Sequence, residues 1–130
     1  MILLLLACAD KGDGEEDTGD LGPATLTQIQ EEVFTPSCAF TVCHEAGGSE
    51  TTLDLSDGHS HAALVGVESA DAPPNVLVIA GDPNGSYLMW KLSAAAGITG
   101  EPMPDGAVDG LDAERLERVR SWIADGAQDN

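Results

Sequence analysis

Cys38, Cys43 and His44 are the residues of this chain best able to do chemistry together. They lie in T-P-S-C-A-F-T-V-C-H-E-A over 35–46, with four residues between the cysteines and the histidine directly after the second. Two thiols in that order can add across the vinyl groups of a haem, and the imidazole must follow at once to reach the iron from the same side. Two other chemistries use the same atoms. Cys38 and Cys43 can close a disulfide in an oxidising compartment, or bind zinc with His44 and His59 or His61. Further along, E-P-M-P-D-G sets Met103 between Pro102 and Pro104. Proline fixes φ and removes a backbone donor, so this is a stiff, non-helical loop suited to presenting a thioether at a set distance.

Four stretches together resemble a known family: I-Q-E-E-V-F-T-P-S-C-A-F-T-V-C-H, A-G-D-P-N-G-S-Y-L-M-W-K-L, E-P-M-P-D-G and R-S-W-I-A-D-G-A. They are similar to the small single-haem cytochrome c-type domain of secreted bacterial lipoproteins, and the likeness runs from about Ala24 to Ala127. The resemblance implies an all-α, cytochrome c-like fold, with three to four helices around one covalently attached haem c. Cys38 and Cys43 would then carry the thioethers, with His44 the proximal and Met103 the distal iron ligand. A Met/His pair raises the haem potential, because the soft thioether favours ferrous iron. The implied role is single-electron transfer to a redox partner protein outside the cytoplasm. The family's usual motif has two residues between the cysteines, and this C-x4-C-H variant departs from it.

The elements that must position these groups follow from periodicity and punctuation. Leu26, Ile29 and Val33 recur at helical spacing, which predicts a first helix over Thr25–Phe34, capped by Thr25 or Thr27 and ended by Pro36. Gly47–Gly58 is a polar loop whose D-L-S-D-G reads as a capped turn into a short helical piece, His59–Val65. His59 and His61 there are alternative distal ligands. Glu68–Asn75 is a loop, and Val76–Ala80 is extended or a short strand. Asp82 as N-cap and Pro83 at the first position predict a helix running to about Ala96, burying Leu88 and Leu92. Met89 on that helix reads as packing, since no backbone device aims it. Gly97–Gly110 is the loop that carries Met103. Asp112–Asp125 is the clearest helix, with Leu116, Val119 and Ile123 on one face, Trp122 widening it, and Gly126 closing it. In the family the terminal helices cross, so this helix is expected to cross the first.

Charge narrows the partners. The formal net charge is −18, and Lys11, Lys91, Arg115, Arg118 and Arg120 are the only lysines and arginines. Phosphate neutralisation needs a basic face, which excludes nucleic acid; an acidic surface can instead steer a basic redox protein. Residues 1–8 end in L-L-A-C and look like the end of a lipoprotein-type leader, with Cys8 as the lipidated residue. Residues 9–23 are acidic and glycine-rich and read as a flexible linker. Asp10, Asp13, Glu15 and Asp17 could offer oxygens to calcium, but the alternation of an EF-hand loop is absent. The remainder, 24–127, is one domain on a membrane anchor, facing the periplasm or the cell surface. No nucleophile–base pair or acid–base carboxylate pair stands out and both axial positions have ligands, which points to an electron carrier rather than an enzyme. A haem sensor in which a diatomic ligand displaces Met103 is a further possibility on the same residues.

Overall fold

The structure, a computed structural model, describes residues 24–38, 53–104 and 106–130. The described residues are helical and contain no strand. The expected leader with Cys8, the linker over 9–23 and its acidic residues, and the motif residues Cys43 and His44 lie outside the described residues.

The first helical run has three parts: α1 (Leu26–Ile29), a π-helical stretch (Gln30–Phe34) and a last turn, α2 (Thr35–Ser37). Thr25 caps it, accepting from the Gln28 N–H, while the Gln28 side chain returns to the Thr25 N–H in a reciprocal capping box. The expectation that Pro36 ends this helix at Phe34 is corrected here. In an α-helix a proline clashes with the carbonyl four residues back. The wider π turn just before it, in which the Thr35 N–H donates to the Gln30 carbonyl, shifts the ladder, and helical backbone continues through Pro36 to Ser37.

Helix α3 (Ser60–Leu64) is short, as expected. The following chain forms no strand over 76–80 and pairs only at isolated positions, Val65 with Val78 and Glu68 with Val76. Its carbonyls have another use. Those of Val76 and Leu77 each accept, at 2.9 Å, from the Tyr87 and Leu88 N–H groups, which are orphan donors of the first turn of α4 (Tyr87–Leu92).

The helix expected from Asp82 to Ala96 is shorter at both ends. Asp82 caps only a turn, accepting from the Gly85 N–H at 3.0 Å. Ser86 is fully buried and extended, its hydroxyl accepting from Ile79 N–H and donating to the Asp82 carbonyl; this tie keeps residues 82–86 out of the helix. At the other end Ala94 takes φ 54° and the Ala95 N–H reaches back to the Trp90 carbonyl at 3.0 Å. That is a Schellman-type stop made with alanine where glycine is usual. The Leu92 carbonyl accepts instead from Leu111 N–H at 2.7 Å. Gly110, at φ 79°, allows this approach, because a Cβ there would run into the Leu92 carbonyl.

Helix α5 (Ala113–Ala124) matches its expected bounds closely: Asp112 accepts from the Arg115 N–H, and Gly126 at φ 108° ends it. It packs on α1 and α4. Val119, Trp122 and Ile123 are buried in one cluster with Leu26, Ile29, Val33, Phe34, Leu64, Val78, Leu88 and Leu92. The tail then returns to α1, where the Asn130 side chain accepts from the Leu26 N–H at 3.0 Å. An ion pair, Arg118 to Glu32 at 2.9 Å, bridges α5 and the π stretch.

Candidate functional site

Cys38 is the one motif residue among those described. It follows α2 directly, its N–H donating to the Phe34 carbonyl at 2.8 Å, and it is buried in the core cluster. The continuation of helix past Pro36 causes this placement. Had the helix stopped at Phe34, Cys38 would begin in a loop; instead the last turn carries its side chain into the core.

Met103 lies in the irregular chain between α4 and α5, half-buried and packed against the same core cluster. Its loop is held at several points. Met103 N–H donates to the Lys91 carbonyl at 2.9 Å. The Lys91 ammonium donates to the carbonyls of Thr99 and Glu101, and the Tyr87 hydroxyl accepts from the Thr99 N–H at 2.9 Å. Tyr87 is itself buried and packs edge-on against Trp90, with ring centroids 5.7 Å apart. The stiffness expected from the two prolines is thus supplemented by contacts from α4.

The alternative ligands are differently placed. His61 Nε2 donates to the Ala127 carbonyl at 3.0 Å, tying α3 to the tail after α5. His59 is largely exposed, its Nδ1 3.2 Å from the Ser56 hydroxyl and 3.8 Å from Asp54. Asp54 accepts from both the Ser56 hydroxyl and the Ser56 N–H, and these two bonds, the hydroxyl first, hold its carboxyl below the ordinary carboxylate range. The group is a local turn in which Asp54 accepts from residue 56; the expected cap on the next helix is not made, since the N-cap residue of α3 is His59 and it has no side-chain capping bond. Met89 is buried in the core, as expected of a packing residue. Among the described residues no three histidine, cysteine or acidic side chains converge on a point where a metal could sit.

A groove of about 620 Å³ opens between the first helical run and the start of α5, lined chiefly by Glu31, Glu32, Asp112, Glu114, Arg115 and Arg118. A haem macrocycle needs apolar walls, so this charged groove is no seat for it. The apolar side to which both Cys38 and Met103 belong is the core cluster. Cys38 is thus a buried residue just past a helix end, and Met103 a half-buried one on a loop held from α4.

Among the described residues no helix is long and apolar enough to cross a membrane. Sequence reasoning missed the residues that brace the Met103 loop, Lys91 and Tyr87. Comparisons with protein-family models, with curated proteins and with solved structures found no match.

Proposed function

We propose that the chain is a mono-haem c-type electron carrier, lipid-anchored through Cys8 and working outside the cytoplasm. The observation that carries this reading is that Cys38 is buried in the core and Met103, far away in sequence, is packed against the same core on a loop braced from α4. Cys38 and Cys43 would hold haem c by thioethers, with His44 and Met103 on the iron. Bound there, haem c supplies reversible one-electron exchange between ferric and ferrous iron. The protein's own part is to keep the Met103 sulfur at a fixed place beside a water-poor core. The acidic surface would attract a basic redox protein.

The test is an absorption spectrum of protein matured in a host with c-type haem machinery, followed by acid–acetone extraction. Haem that stays on the protein, and a mass adduct on the Cys38–Cys43 peptide, are expected; haem that washes out refutes attachment. Met103→Ala should abolish the weak far-red sulfur-to-iron band, lower the potential and admit added cyanide. His61→Ala should change none of these. Membrane association of protein expressed with a complete leader ahead of Cys8 should be lost in Cys8→Ser, and equal partitioning of the two forms would remove the anchor.

A further inference from the structure

We infer that Lys91 is the positioning residue of the Met103 loop, acting as a strap whose ammonium gathers the backbone of 99–101 and whose carbonyl seats Met103. The inference rests on the proposed role of Met103 for its purpose, but its geometry stands apart from any haem.

Lys91 sits in the last turn of α4, next to the residue where the helix stops. In a chain of net charge −18 a lysine has many carboxylates to choose from. The three arginines of α5 do pair with acidic side chains. Lys91 makes no such pair among the described residues and turns its ammonium onto two backbone carbonyls, those of Thr99 and Glu101. For both to face one nitrogen the chain must fold around it. Gly100 lies between them at φ 74°, and a Cβ there would stand 3.6 Å from the Lys91 Nζ. Hydrogen bonds from a charged donor are about twice as strong as neutral ones. The same residue's carbonyl then accepts from the Met103 N–H at 2.9 Å. One residue therefore holds both the approach to the methionine and the methionine's own backbone. The Tyr87 hydroxyl, accepting from Thr99 N–H one helical turn earlier, is a second clasp on the same loop.

A strap of this kind sets the reach and orientation of the thioether without touching iron. Loss of the ammonium should leave the Met103 N–H on the Lys91 carbonyl but loosen the chain leading to it, so that the thioether is held less firmly.

The experiment compares full-length wild type, Lys91→Met, Lys91→Arg and Tyr87→Phe. Lys91→Met keeps the length of the side chain and removes its donors; Lys91→Arg keeps charge and donors. Amide hydrogen exchange of peptides spanning 97–104 is read alongside the far-red sulfur-to-iron band and the potential. Exchange in Lys91→Met should be about tenfold faster than in wild type, with the band weakened and the potential lowered. Lys91→Arg should restore most of each, and Tyr87→Phe should give a smaller change in the same direction. Unchanged exchange in Lys91→Met overturns the strap. Faster exchange with an unaltered band and potential overturns its role in positioning the sulfur. If no haem attaches in any form, the functional reading fails while the exchange comparison still decides the strap.

Discussion

Gln30 offers the sharpest test of the packing. Its side chain is buried in the π stretch and makes three hydrogen bonds: Nε2 to the Thr35 hydroxyl at 3.1 Å and to the Leu55 carbonyl at 2.8 Å, and Oε1 from the Ser60 hydroxyl at 2.7 Å. One amide thus ties the helical run that ends at Cys38 to the turn and helix that follow Leu53. In Gln30→Leu the Leu55 carbonyl is left buried without this donor, at a cost of about 1–3 kcal/mol. The Ser60 hydroxyl also loses its acceptor but can turn to a carbonyl of the preceding turn, so its added cost is below about 1 kcal/mol. Greater apolar burial of leucine offsets roughly 1 kcal/mol. At the middle of these ranges the net is a loss of about 1.5 kcal/mol, which for a domain of this size lowers Tm by roughly 6–12 °C. Urea and thermal unfolding followed by far-ultraviolet dichroism, with all samples in the same haem state, would read it. Ser60→Ala alone should cost about 1 kcal/mol, and the double variant should fall short of the sum by about as much, since the two share a bond. Stability of Gln30→Leu within about 0.5 kcal/mol of wild type, or strict additivity, would refute the network.

Gly110→Ala should destabilise by about 2 kcal/mol or more, because it combines a left-handed backbone with a clash on the Leu92 carbonyl; a thermal melt close to wild type would count against that close approach. Asp112→Ala should cost about 1 kcal/mol by loss of the α5 cap. The backbone N–H of Arg115, and then the Arg115 charge, hold the Asp112 carboxyl below the ordinary range. A depressed carboxylate stabilises the fold above its unfolded value and loses that contribution as pH falls through the folded one. Asp112→Asn keeps the capping oxygen without the charge, so its stability relative to wild type should improve as pH falls below about 4; parallel pH curves would contradict this. Haem attachment, the Met103→Ala spectrum and the Cys8→Ser partition are the checks of function already stated.

Much of the fold was legible from spacing. The last helix was found to within a residue at each end because its signals are local: an aspartate cap, an apolar stripe, and a glycine at the stop. The first helix was located, but its end was misjudged. A proline normally halts a helix, and the π turn that admits Pro36 has no sequence mark. The middle helix was overextended for a similar reason. Asp82-Pro83 is a good helix start, but it lost to a buried serine that bonds back across residues 79–86. At the other end S-A-A-A reads as helix by propensity, while the Leu92 carbonyl is claimed by Leu111, nineteen positions later in the chain. Tertiary hydrogen bonds decided both ends, and propensity is too weak a preference to outweigh them.

The candidate site divides along the same line. Cys38 and Met103 could be singled out by residue type and by their neighbours in sequence, since sulfur chemistry and proline brackets are visible one letter at a time. The residues that brace Met103 could not. Lys91 enters a sequence reading only as one of five positive charges in an acidic chain, and charge alone suggests a surface ion pair. Its observed partners are backbone carbonyls, which every residue carries and no letter distinguishes. Such a contact needs an ammonium at a helix end, a glycine that lets the chain wrap around it, and a loop of the right length between them. Each is common alone, and only the fold brings them together. A lysine that turns from carboxylates to main-chain oxygens beside a half-buried methionine is therefore a better guide to how this loop is held than the prolines on either side.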